Sequence, residues 1–172
     1  MKMVIVGLGN TLLSDDGAGI QVVRRIKKHL SGQENVQVVE SNWGGFRIID
    51  LLSGYHSAII VDAIKTGTQP PGFIHVLDGN QLVHSVRMVS FHDINFATAV
   101  EFARELNIPM PEQIVVYAIE VLETEYFSEH LTPAVESAVE KCTEMILNKI
   151  HHQYPIALHS TVLPDKTKNM MS

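Results

Sequence analysis

The sequence predicts an α/β fold: a twisted, mostly parallel sheet of about five strands with helices on both faces. Three observations lead there. Short apolar runs alternate with amphipathic stretches, the order that builds strand–helix–strand units. The runs Met3-Val4-Ile5-Val6 and Ala58-Ile59-Ile60-Val61 are continuous rather than alternating, as strands covered on both faces are. Finally, 172 residues, 45% of them hydrophobic and 19% charged, suit one globular domain with a buried core.

The elements follow in order. Residues 3–7 read as a strand, rich in Val and Ile and stopped by Gly7. Residues 17–30 read as a helix, because Ile20, Val23, Ile26 and Leu30 share one face while Arg24, Arg25, Lys27 and Lys28 fall mostly elsewhere. A second strand is expected over 36–40, a short helix over 44–52, and a central parallel strand over 57–62. The turn Gln69-Pro70-Pro71-Gly72 introduces another short strand at 73–77. Residues 92–106 read as a helix with Phe96, Val100, Ala103 and Leu106 on one side, and 114–119 as a strong strand. Thr132-Pro133 opens the last helix with an N-cap residue and a proline at the first helical position. Its core stripe is Val135, Val139, Cys142, Ile146 and Ile150. One domain over 1–154 results. Beyond it, periodicity gives way to Pro, Lys, Thr, Asn and Ser, which predicts a mobile tail over 155–172.

Composition excludes several function classes. A net charge of −6 disfavours a polyanionic partner, so no nucleic acid is expected. The single cysteine, Cys142, allows no internal disulfide and no cysteine-based zinc cage, and its place on a core stripe marks it as packing. No apolar run approaches the ~18 residues of a membrane span. The N-terminus shows no signal-peptide pattern. A cytoplasmic protein without a membrane partner is the expectation, with a monomer as the default.

In an open parallel sheet, ligands bind outside the carboxyl ends of the strands. The loop after the first strand runs Gly7-Leu8-Gly9-Asn10-Thr11-Leu12-Leu13-Ser14-Asp15-Asp16-Gly17-Ala18-Gly19. A dinucleotide fingerprint needs a glycine where Leu12 stands, and a pyrophosphate would meet Asp15 and Asp16; no Gly-Lys-Ser/Thr follows to make a P-loop. The two acids have a structural reading as helix caps. Asp15 suits that task and leaves Asp16 to project into the crevice. Asp62 closes the apolar run 58–61 and is either bonded locally or placed in the crevice for use. Of nine histidines, His92 stands out in Ser90-Phe91-His92-Asp93 at a helix start, where a solvated surface role is the alternative. His29, His56, His75, His84, His130 and His159 lack an acidic partner at suggestive spacing. Two carboxylates and one imidazole form a mixed donor set suited to a borderline divalent metal such as nickel or zinc. Neither a His-Glu-x-x-His motif nor a Gly-x-Ser-x-Gly nucleophile elbow is present.

The opening motif, 6–19, resembles the signature of the NiFe-hydrogenase maturation endopeptidases. The likeness covers about 1–150 and includes Ile59-Ile60-Val61-Asp62-Ala63, Ser90-Phe91-His92-Asp93 and Leu131-Thr132-Pro133-Ala134-Val135. The resemblance implies an enzyme that trims a C-terminal peptide from the hydrogenase large-subunit precursor after nickel insertion. It also implies a five-stranded sheet with helices on both sides, and Asp16, Asp62 and His92 as metal-contacting residues. Relatives often carry an Asp-Gly-Gly-Thr-like stretch where this chain has Glu40-Ser41-Asn42-Trp43-Gly44-Gly45, which bears on the substrate subfamily. Trp43 there is either a substrate contact or a packed anchor.

On that reading nickel arrives with the substrate and serves as the recognition element, while other divalent metals fit the same donors in vitro. Asp16 is the candidate general base. A nickel-sensing carrier or scaffold without catalysis would use the same three ligands, and a nucleotide-binding module is a more distant option. The opening Gly7-Leu8-Gly9-Asn10 also resembles peptidyl-tRNA hydrolase, but the segment that would carry that family's histidine is Thr11-Leu12-Leu13-Ser14-Asp15-Asp16 here.

Overall fold

The computed structural model describes residues 2–30, 32–42, 46–79, 96–122 and 124–153. His92, Trp43 and the 155–172 segment lie outside the described residues. The elements are β1 (Met3–Leu8), a 3-10 turn (Ser14–Gly17), α1 (Ala18–His29), β2 (Val36–Ser41), α2 (Arg47–Leu52), β3 (Ser57–Ile64), β4 (Ile74–Asp78), α3 (Phe96–Glu105), β5 (Gln113–Glu120) and α4 (Pro133–Gln153).

The strands form one sheet in the order β2-β1-β3-β5-β4. β1 runs parallel to β2 and β3, β3 runs parallel to β5, and β4 closes one edge antiparallel to β5. The mostly parallel sheet is as expected. Alternation along each strand sends side chains to two separate cores. Val4, Val6, Ala58, Ile60, Val116 and Ala118 pack against α2 and α3. Met3, Ile5, Ile59, Val61, Tyr117 and Ile119 pack against α1 and α4. Being covered on both faces explains why β1 and β3 read as unbroken apolar runs.

Two helical stripes are as the periodicity predicts. Ile20, Val23, Ile26 and Leu30 of the first stripe are all buried, and so are Val135, Val139, Cys142, Ile146 and Ile150 of the last. Each such aliphatic side chain removed from water contributes ~1.5–3 kcal/mol.

Four expectations need correction. The central strand does not stop at Asp62; it continues through Ala63 to Ile64, so the acid lies inside the strand. Leu106 is not on the core face of α3: the helix ends at Glu105, Asn107 takes φ +55, and Leu106 is exposed. Asp15 does not cap α1, whose N-cap Gly17 has no side-chain cap. His75 does have an acidic partner, Glu120, at 3.0 Å. No helix among the described residues is long and apolar enough to cross a membrane.

Candidate functional site

The site is built on close backbone approaches made possible by two glycines. Gly9 adopts φ +134, and a Cβ there would lie 1.9 Å from the Asp16 carbonyl oxygen. The 3-10 turn that carries Asp15 and Asp16 therefore folds directly onto the loop after β1. Three residues beyond Asp16, a Cβ on Gly19 would meet the carbonyl oxygens of Leu8 and Val61 at 2.4 Å each. The start of α1 thus rests on the carboxyl ends of β1 and β3, beside Asp62. These glycines seat a helix on a sheet, which is why the loop departs from a phosphate-binding pattern.

The adjacent acids take different tasks. Asp15 is fully buried; its Oδ1 accepts the amide of Thr132 at 2.7 Å and its Oδ2 accepts the Thr132 hydroxyl at 3.0 Å. It ties the turn to the start of α4. Thr132, expected as an N-cap, spends its hydroxyl on Asp15. Asp16 is 9% exposed and accepts the Asn10 amide on Oδ2 at 2.7 Å. Asn10 in turn accepts the Leu12 amide, which holds the loop closed.

Asp62 is 2% exposed and accepts the Ala63 amide on Oδ1 at 2.8 Å. Alternation along β3 puts it in the row of Ala58, Ile60 and Ile64, three residues of the apolar core under α2 and α3. Burial pushes its carboxyl up to about 8; the Ala63 amide works against that rise, and the neighbouring Asp16 carboxylate adds to it. The two side chains, 46 residues apart in sequence, come near enough for each to feel the other's charge, because the Asp16 turn and the start of α1 pack on the ends of β1 and β3. They lie at the carboxyl ends of β1 and β3, from which the chain departs toward opposite edges of the sheet, to β2 and to β4, the expected ligand position. His92, the third member of the expected trio, lies outside the described residues. Among the described residues no group of three or more His, Cys, Asp or Glu is placed to hold a metal ion.

A second acidic centre lies farther along the same sheet edge. Glu120, at the end of β5, is buried and accepts the amides of Thr66 at 2.7 Å and Gly67 at 2.8 Å, the Thr66 hydroxyl at 2.7 Å, and a bond with His75 Nε2 at 3.0 Å. Burial alone would push its carboxyl up, but these bonds outweigh it and hold it below the ordinary glutamate value. Its partners mark it as a clamp that fixes the turn after β3 against β4. It carries the signal that singled out Asp62, an acid ending an apolar strand. A groove of about 380 Å³ opens at the ends of β1 and β2, lined by Asn10, whose amide bonds Asp16, and by Thr11, Arg24, Ser41 and Asn42.

With this geometry in view, similarities to known proteins become informative. A family model described as hydrogenase maturation protease matches residues 20–149. The Hydrogenase 2 maturation protease of Escherichia coli is 24% identical over 153 residues, spanning 86% of this chain and 89% of that protein. The hydrogenase expression/formation protein HupD of Thiocapsa roseopersicina is 22% identical over 148 residues, 85% of this chain and 66% of that longer protein. The solved structure of the hydrogenase-maturating endopeptidase HybD from E. coli aligns with a TM-score of 0.75 at 21% identity, covering 90% of this chain and 94% of that one. At that identity the structural likeness establishes the fold.

Proposed function

The chain belongs to the hydrogenase maturation protease family, and from that premise we propose that it is an endopeptidase that removes the C-terminal peptide from the nickel-loaded large-subunit precursor of a NiFe hydrogenase. The observation that carries the reading is the convergence of Asp16 and Asp62 at the β1/β3 junction in a chain of this family.

The substrate's own nickel is the recognition element. An ion held by the precursor keeps open coordination positions, and Asp16, Asp62 and His92 supply two oxygens and a nitrogen to fill them. Asp62 must lose its proton to bind a cation, so the ion replaces the proton as the group that neutralises the buried carboxylate. Precursor without nickel offers no ion to exchange for that proton, so it gains no metal bond and docks poorly. Asp16 serves as general base toward a water attacking the scissile carbonyl, a role supported by its one bond among the described residues, from the Asn10 amide, which leaves its other oxygen for the water. The sequence carries no Gly-x-Ser-x-Gly nucleophile elbow, and Cys142 is buried in the α1/α4 core. Direct attack by water is favoured on that ground.

The test is intact mass spectrometry of a co-expressed large-subunit precursor, with and without nickel in the medium. The expected result is loss of a C-terminal peptide only with nickel. A full-length precursor under both conditions contradicts the proposal. Stable capture of the nickel-loaded precursor without shortening identifies the carrier reading instead.

A further inference from the structure

The segment joining β5 to α4 carries exposed apolar side chains that nothing in the fold requires. Leu122 is 64% exposed, Tyr126 69% and Phe127 82%, while Leu12, in the loop that leads to Asp16, is 52% exposed. Exposed apolar side chains mark an interaction surface where they are neighbours, not where they are scattered singly.

The segment is pinned where it meets the site. At its start, the Val121 amide donates to the Ile64 carbonyl at the end of β3. At its far end, Ser128 forms a parallel bridge with Leu13; its amide donates to the Leu12 carbonyl at 3.1 Å and its carbonyl accepts the Ser14 amide at 2.8 Å. The Ser14 hydroxyl donates to the His130 carbonyl, and Thr132 is held by Asp15. One step back from the bridge on both strands, Leu12 and Phe127 become neighbours, four residues before Asp16. Because β3 lies between β1 and β5 in the sheet, the segment passes the end of the strand that bears Asp62. Leu12 and Phe127 are thereby fastened to the backbone that leads into Asp16.

On the reading that the chain processes a protein substrate, we infer that Leu12, Leu122, Tyr126 and Phe127 form the docking rim for the folded precursor protein, gripping an apolar surface next to its cleavage point. The occupant follows from continuity: whatever protein presents its chain to Asp16 and Asp62 must lie over this rim. Aromatic anchors at such contacts often carry much of the binding.

The experiment uses the full chain and the purified nickel-loaded large-subunit precursor, with equilibrium binding by biolayer interferometry and initial processing rates measured separately. Phe127→Ser combined with Leu12→Ser should weaken binding by about tenfold or more and raise KM correspondingly, with kcat changed less than KM. Phe127→Leu should recover most of the binding, and thermal unfolding should confirm that the variants fold. Unchanged binding and KM in the folded double variant overturn the inference, as does failure of the wild-type chain to bind the precursor. Binding that depends on the rim without any peptide release upholds the inference and overturns the proteolytic reading, so the two fail separately.

Discussion

Asp15 and Asp16 are buried neighbours of the same type, yet the fold uses one as a strut to α4 and turns the other to the loop after β1. No local rule distinguishes them. The choice is made by Thr132, more than a hundred residues away, whose amide and hydroxyl claim Asp15. Asp62 was easier to find, because an acid against four apolar residues of a parallel strand has few structural reasons to be there. Its surroundings cost stability. The unfolded chain ionises this group near 3.8, whereas the fold keeps it protonated to about 8. Between those values the folded state holds the extra proton, so the contribution to stability is full below about pH 4, declines as pH rises, and is lost by about pH 8. Asp62→Asn keeps an oxygen for the Ala63 amide and removes the titration. Melting curves of the metal-free protein should show the variant nearly matched to wild type at pH 4 and several degrees more stable at pH 8. A pH-independent difference would contradict the burial of Asp62.

At the scale of elements, α1 is the part that sets the site, and Gly19 is what sets α1. A Cβ at that position would press on two carbonyl oxygens at 2.4 Å, and neither Leu8 nor Val61 can give way without disturbing β1 or β3. Gly19→Ala should therefore lower the melting temperature by more than about 5 °C, the scale of an overpacking cost of a few kcal/mol in a domain of this size. Circular dichroism melts decide it, and a wild-type melting temperature in the variant would mean that α1 does not sit as described. The elements with two covered faces or a strong amphipathic stripe were legible in the sequence: β1, β3, β5, α1 and α4. What escaped was set by tertiary contacts. The apolar pattern of α3 runs on to Leu106, but the chain turns at Asn107 and points Leu106 outward. β3 runs past Asp62 because its ladder with β5 continues to Ile64 opposite Glu120. The His75–Glu120 pair joins residues 45 apart through an antiparallel register that no spacing rule reveals.

For the whole molecule, strand order turns separate motifs into one site. Placing β1 between β2 and β3 brings the glycine loop and Asp62 to the same edge. Ser128 and Thr132, from the connection between β5 and α4, then bond to that loop through Leu12, Ser14 and Asp15. The likeness to hydrogenase maturation proteases spans most of this architecture rather than a single motif. The central claim is that Asp16, Asp62 and His92 act together on the ion carried by the client. Its most direct test is the single-turnover processing rate of purified nickel-loaded precursor by Asp16→Asn, Asp62→Asn and His92→Ala, each first shown to be folded. General-base catalysis contributes about a hundredfold or more and even the outer-shell partners of metal ligands contribute about 10–100-fold, so each variant should fall by at least about tenfold. Wild-type rates in all three would contradict the claim outright.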